Sequence, residues 1–160
     1  MQKLHFSRFL NMLILPMFIM LLAHSSMLFA QSKDELNNEL FIAIQNGDAG
    51  RVQQLIASGA DPNAKNDKGS TALTIAVLMD KPDIARILLN AGADINAKND
   101  VGATPLMAAA TGGSVEMINL LLQYNADINA KNDRGDTALD YAILNDNIDV
   151  ARRQGHDDYE

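Results

Sequence analysis

A unit of 33 residues repeats in this chain with almost no drift. The octapeptide Ala60-Asp61-Pro62-Asn63-Ala64-Lys65-Asn66-Asp67 returns at 93–100 and at 126–133, with only the proline exchanged for isoleucine. Each copy continues in phase through a glycine and a threonine, at Gly69, Gly102 and Gly135 and at Thr71, Thr104 and Thr137. A fixed period of this length predicts a solenoid, in which each unit buries its apolar face only against its neighbours.

Two helical stretches and a turn-rich stretch alternate within one period. In the second unit, Leu73, Ala76 and Val77 follow at helical spacing. Thr71 stands just before them, where its hydroxyl can cap the helix. A second helix is predicted over residues 82–90 and is ended by a glycine. The stretch between helix pairs is rich in Asp, Asn and Gly, which favour protruding turns, so each unit is predicted to form helix, helix and finger.

These motifs resemble those of the ankyrin repeat family, whose pattern reads G-x-TPLHxAA, a turn, an LL helix and GADxNAxD. Residues 102–110 and 88–97 match it closely. The resemblance spans about 37–152 and implies an all-α ankyrin repeat solenoid of about four helix-turn-helix repeats with β-turn or hairpin fingers. The repeats are expected at about 36–66, 67–99, 100–132 and 133–153. Thr74, Met107 and Asp140 replace the TPLH histidine, which we expect to lower stability but keep the fold.

The first 30 residues differ from the rest of the chain. Lys3 and Arg8 precede an apolar run from Met12 to Ala23, and a short polar stretch then leads to Ala30. This order is typical of a secretory signal peptide, here residues 1–30, cleaved after Ala30. A retained membrane anchor is the alternative, but the 12-residue apolar run is shorter than the roughly 20 residues that span a bilayer. We therefore expect a periplasmic or secreted bacterial protein with no stable membrane anchor.

Charge and cysteine content exclude several classes of function. Beyond residue 30 the chain has 11 basic against 20 acidic residues, a net charge of −9. Binding to a phosphate backbone depends on clustered Lys and Arg, so nucleic acid is not an expected partner. The chain has no cysteine, which excludes disulfides and thiol catalysis.

The sequence contains no pattern that predicts catalysis or a metal site. His156 is the one histidine beyond residue 30, and it lies in a polar tail at 153–160. Residues 94–98 begin like a calcium loop, but Lys98 stands where a ligand is needed and the following glycine is missing. We therefore expect no enzyme activity, no cofactor and no metal.

The resemblance implies that partners bind to the finger tips and to the exposed face of the first helix of each repeat, at positions such as 78–79, 111–112 and 144–145. Carried over by position, the predicted partner-binding residues are Lys65, Asp67, Lys68, Ser70, Leu78, Met79, Lys98, Asp100, Val101, Ala103, Thr111, Lys131, Asp133, Arg134 and Asp136. Leu78, Met79 and Val101 are apolar at exposed positions, which is typical of an interface.

Two charge ladders run along the predicted fingers, one of lysine at 65, 98 and 131 and one of aspartate at 67, 100 and 133. They either contribute to binding or are surface charges that a recent duplication repeated without selection for binding. In the second case lysine and aspartate of neighbouring fingers screen one another, and each pair stabilises the fold by under about 1 kcal/mol. The sequence leaves both interpretations open.

The sequence thus predicts a monomeric, non-enzymatic module that binds a partner protein through its concave face. An accessory factor of a periplasmic enzyme and an inhibitor or immunity protein against a periplasm-acting toxin are the two narrower hypotheses. A host-directed secreted ankyrin protein is a third alternative. An enzyme of unfamiliar geometry is the contrasting hypothesis, which activity lost on a single carboxylate change would support.

Overall fold

The computed structural model describes residues 32–112 and 114–145. The predicted signal peptide, the second helix of the fourth repeat and the polar tail lie outside the described residues. The helices of the described part are α1 (Lys33–Asn46), α2 (Ala49–Ala57), α3 (Ala72–Leu78), α4 (Pro82–Asn90), α5 (Pro105–Gly112), α6 (Val115–Gln123) and α7 (Ala138–Leu144). The all-α prediction is confirmed, and α4 has the predicted bounds.

The helices pack in two rows. The inner row consists of α1, α3, α5 and α7, each in contact with the next, and the outer row of α2, α4 and α6. The core lies between the rows, where Leu40, Leu73 and Leu106 of the inner helices are at most 1% exposed. Leu88 and Leu121 of the outer helices are fully buried beside them. The predicted apolar stripes therefore form one continuous core along the repeats.

The helix ends follow from local side-chain chemistry. Thr71 caps α3 by accepting a hydrogen bond from the backbone N–H of Thr74, and Ser114 caps α6 in the same way. Asn125, with φ of 62°, follows α6 in the left-handed conformation predicted for it. Asp80 takes this conformation after α3, with φ of 49°.

The residues that replace the TPLH histidine bond to the capping threonine of their own helix. The hydroxyl oxygens of Thr74 and Thr71 lie 3.0 Å apart, and the Met107 sulfur accepts the N–H of Thr104 at 3.4 Å. The cap is thus kept without histidine, in two different ways.

Asp140 replaces the same histidine in the fourth repeat and forms a capping box with Thr137. Its carboxylate accepts the backbone N–H and the hydroxyl of Thr137, each at 2.7 Å. The backbone and side-chain hydrogen bonds from Thr137 lower the pKa of Asp140, because they favour its charged form.

An asparagine closes each finger. We define finger 1 as residues 64–71, finger 2 as 97–104 and finger 3 as 130–137. In finger 2, Asn99 Oδ1 accepts the N–H groups of Val101 at 3.1 Å and of Ala103 at 2.9 Å. Asn66 and Asn132 make the same pair of bonds in the other two fingers. Finger 1 also has an antiparallel β-bridge, in agreement with the hairpin prediction.

A second set of asparagines links each repeat to the next. Asn63 Oδ1 accepts the backbone N–H of Asp94 at 2.7 Å, and Asn96 accepts that of Asp127 at 2.8 Å. Asn37 starts the series in the first repeat. These repeated asparagines are thus committed to backbone bonding.

Neighbouring fingers also touch through glycine. The Asp133 carboxylate lies against Gly102, whose φ is 73°, and a Cβ added to this glycine would lie 2.8 Å from the Asp133 backbone nitrogen. Asp100 lies against Gly69 in the same manner. Only glycine fits at these contacts, since any Cβ would displace the next finger.

Replacing three glycines by alanine separates backbone strain from this close contact. Gly102→Ala should lower the free energy of unfolding by more than about 2 kcal/mol, because it combines a left-handed backbone with a clash. Gly59 has φ of 104°, but no atom lies within 4 Å of an added Cβ. Gly59→Ala should therefore lower the free energy of unfolding by only about 1–2 kcal/mol. Gly112→Ala, with neither problem, should leave stability unchanged or raise it by up to about 1 kcal/mol. Urea unfolding would measure all three, and equal losses for the first two would contradict the finger contact.

Candidate protein-binding face

Three positions at the C-terminal end of each inner helix carry no formal charge. They are spaced by three or four residues and so lie on one helix face, and their residues are exposed or half-buried. They are Ile42, Gln45, Asn46, Ile75, Leu78, Met79, Ala108, Thr111, Gly112, Tyr141, Leu144 and Asn145. We call this set the neutral floor. It contrasts with the chain as a whole, in which 21% of the residues are charged.

Large apolar side chains of the neutral floor are open to water. Ile42 and Leu78 are each 57% exposed, Met79 is 43% exposed and Leu144 is 76% exposed. Leu78 also lines a groove of about 220 Å³ together with Thr111 and Gly112, where the third repeat has smaller side chains than the second. An exposed apolar strip of this kind indicates a surface that another molecule covers.

Finger 1 adjoins the neutral floor. Lys65, Asn66 and Asp67 of the finger line one groove with Gln45 and Ile75 of the floor. Finger 1 and the neutral floor therefore form one surface. We call the neutral floor together with the three fingers the finger face.

The lysine ladder links successive fingers. Lys65 Nζ donates to the carbonyl oxygen of Lys98 at 3.0 Å, and Lys98 Nζ donates to that of Lys131 at 2.8 Å. Both lysines thus bond to backbone carbonyls, and within the described residues neither forms an ion pair with an aspartate of a neighbouring finger. The ion pairs of the described residues are Lys33 with Asp61, Arg51 with Glu39 and Arg134 with Asp136, and none joins two fingers.

Most of the predicted partner-binding residues lie on the surface, and their binding role stays a prediction. The exposed ones are Lys65, Asp67, Lys68, Leu78, Met79, Lys98, Asp100, Val101, Thr111, Lys131, Asp133 and Arg134. Ala103 and Asp136 are half-buried. Val101 projects from the tip of finger 2, whereas Leu78 and Met79 lie at the end of α3.

Ser70 is the exception, because it is buried, with 8% of its surface exposed. Its backbone N–H and carbonyl both bond to Asn66 across the base of finger 1. The expectation that Ser70 is an exposed contact residue is therefore wrong. Its position closes the finger and does not form the tip.

The sequence analysis overlooked the row formed by Ile42, Ile75, Ala108 and Tyr141. These residues are one period apart, so counting back by 33 from Tyr141 would have found them. The row was missed because the pattern carried over from the family pointed to the last turn of each inner helix. Ile42 and Ile75 widen the apolar part of the finger face by one helical turn.

The described residues offer little for catalysis. Within 32–112 and 114–145, no three His, Cys, Asp or Glu side chains are grouped so that they could hold a metal ion. In the same part of the chain, no helix is long and apolar enough to cross a membrane.

The lysine ladder yields a paired test. Lys98→Met keeps most of the apolar stem but removes the bond to the Lys131 carbonyl, and should lower the free energy of unfolding by about 0.5–1.5 kcal/mol. Lys68→Met is the matched control, because the Lys68 side chain is exposed and makes no such bond within the described residues. Urea unfolding at low and high salt would measure the difference. A loss at Lys98 that high salt abolishes would indicate charge screening and contradict the carbonyl bond.

Comparison with known proteins agrees with this architecture. A family model described as ankyrin repeats (3 copies) matches residues 20–99, 40–132 and 97–153. No curated protein matches the chain. The three matches together span residues 20–153, more than half of the sequence, and include all the helices of the described residues. The chain therefore belongs to the ankyrin repeat family and is a module for protein–protein interaction.

Proposed function

We propose that this protein is exported and binds a partner protein on its finger face. The neutral floor carries the proposal, because it exposes Ile42, Leu78 and Leu144 beside the charged fingers. Stable protein interfaces have an apolar centre, depleted of charge, within a polar rim. The neutral floor fits such a centre, and the fingers fit the rim.

The links between fingers support tight binding on this face. The Lys98 bond to the Lys131 carbonyl and the Asn96 bond to Asp127 fix the spacing of fingers 2 and 3. A surface held in place before binding loses less conformational entropy on association. The exposed tips at Val101 and Arg134 are thus presented on a rigid scaffold.

The location and the role are the further parts of the proposal. Lys3 and Arg8 before the apolar run at 12–23 support export through a cleaved signal peptide. An exported binding module whose described residues assemble no metal site fits an accessory factor of a periplasmic enzyme. The partner would supply the chemistry, and this protein would hold it.

A charge placed on the neutral floor should abolish binding. We expect Leu78→Asp to weaken capture of the partner at least about tenfold, because a carboxylate would be buried against the partner's apolar surface. The measurement is affinity capture of the tagged protein from the periplasm, quantified by mass spectrometry. Leu78 is 57% exposed, so circular dichroism should not change.

Gln54→Asp is the matched control, because Gln54 is an exposed residue of the outer helix α2. It adds the same charge away from the finger face and should leave capture unchanged. If both variants captured the same proteins as the unmodified protein, the assignment of the finger face would be wrong.

Export has its own test. When the protein is expressed in a bacterium with its natural N-terminus, we expect it in the periplasmic or culture fraction with Gln31 as its first residue. N-terminal sequencing and cell fractionation would show this. A chain that keeps residues 1–30 and stays in the cytoplasm would contradict export but leave the finger face untouched.

A further inference from the structure

Both pairs of neighbouring fingers share a lysine bond and a contact of aspartate with glycine. Lys98 Nζ donates to the Lys131 carbonyl at 2.8 Å, and the Asp133 N–H donates to the Val101 carbonyl at 3.3 Å. The Asp133 carboxylate lies against Gly102. Fingers 1 and 2 repeat the lysine bond and the contact of aspartate with glycine. The donor side of this interface is a lysine followed four residues later by a glycine.

Finger 1 lacks this interface on its other side within the described residues. Residues 33–38, which lie one period before residues 66–71 of finger 1, belong to α1, which is 14 residues long, whereas α3 has 7. The first turns of α1 therefore replace a finger. The Lys65 carbonyl and the Asp67 N–H and carboxylate, whose counterparts in finger 3 contact finger 2, make no hydrogen bond or ion pair in the part of the chain that the structure describes.

This open edge faces a groove of about 250 Å³. The groove is lined by Asn38, Phe41, Gln45, Lys65, Asn66, Asp67 and Ile75. Phe41 and Ile75 are half-buried and supply an apolar wall, while Asp67 supplies a negative charge that no cation of the described residues pairs. An apolar cavity of about 150 Å³ already admits a benzene ring, so this groove has room for part of a turn.

We propose that the open edge of finger 1 binds a turn of the partner protein in which a lysine precedes a glycine by four residues. The partner lysine donates to the Lys65 carbonyl, and a carbonyl of the turn accepts the Asp67 N–H. The glycine leaves space for the Asp67 carboxylate, as Gly102 does for Asp133. This inference rests on the proposed function and names the partner element that continues the interface between the fingers.

A peptide taken from this chain provides the probe. Residues 97–103, acetylated and amidated, contain Lys98 and Gly102 together with Asn99, which closes the turn. Titrated into the 15N-labelled protein, the peptide should shift the amide signals of Phe41, Lys65, Asp67 and Ile75 in NMR spectra. A dissociation constant on the order of 1 mM is expected, because a single turn buries little surface.

Three matched variants decide the result. Peptides carrying Lys98→Ala or Gly102→Ala should each bind at least about tenfold more weakly, since one loses a charge-assisted hydrogen bond and the other gains a clash. The protein variant Asp67→Ala should restore part of the binding of the Gly102→Ala peptide, because it removes a carboxylate that the added Cβ would meet, as a Cβ on Gly102 meets that of Asp133. Its unchanged amide spectrum away from finger 1 would show that it folds.

Some outcomes would overturn the inference. One is the absence of shifts at finger 1 up to the solubility limit of the peptide. Another is equal binding of the Gly102→Ala peptide, and a third is a shift pattern centred on finger 3. If the peptide failed while Leu78→Asp still abolished capture of the partner, only this inference would fall, and the neutral floor would remain the binding surface.

Discussion

Contacts between neighbouring repeats determine this structure, because no helix pair here can bury its apolar face alone. The apolar part supplies most of the stability, since a fully buried side chain such as Leu73 is worth about 1.5–3 kcal/mol. A hydrogen bond such as that from Asp94 N–H to Asn63 contributes only about 1 kcal/mol. These polar bonds are directional, however, and they recur at the same position in each repeat. Apolar burial therefore holds the repeats together, and the polar links set their register and the spacing of the fingers.

The two helices of the second repeat could be predicted closely from the sequence, because their boundaries depend on local chemistry. Thr71 caps the helix that follows it through a bond to a residue three positions later, which does not depend on the rest of the fold. Asn125 adopts a left-handed backbone conformation for a similarly local reason. The direction of the Lys65 side chain could not be predicted. Its long flexible stem can reach an aspartate or a carbonyl, and only the stacked geometry brings the carbonyl of Lys98 within 3.0 Å. Burial of Ser70 depends in the same way on closure of the finger above α3.

The binding face could be predicted only in part, for a related reason. The resemblance placed Leu78 and Thr111 on the surface, and the structure sets both along one groove. It gave no reason to examine Ile42, because the family pattern pointed to the last turn of each inner helix. The first repeat also departs from that pattern, since within the described residues it has no finger before its inner helix. The unpaired contacts of finger 1 follow from the same departure. Ile42 and the open edge of finger 1 thus lie where the repeat is incomplete, and the 33-residue period alone cannot predict features at such positions.

Apart from the open edge of finger 1, the identical parts of the fingers cannot by themselves select a partner, because Lys98 and Asn99 are committed to bonds within the chain. Selection must come from positions at which the repeats differ. The neutral floor changes from Leu78 to Thr111 between the second and third repeats, and the finger tip changes from Val101 to Arg134 between fingers 2 and 3. With no charge on the floor, shape and apolar fit decide affinity there, whereas the tips add charge at the rim. High salt should therefore slow association with a charged partner more than it weakens the bound complex.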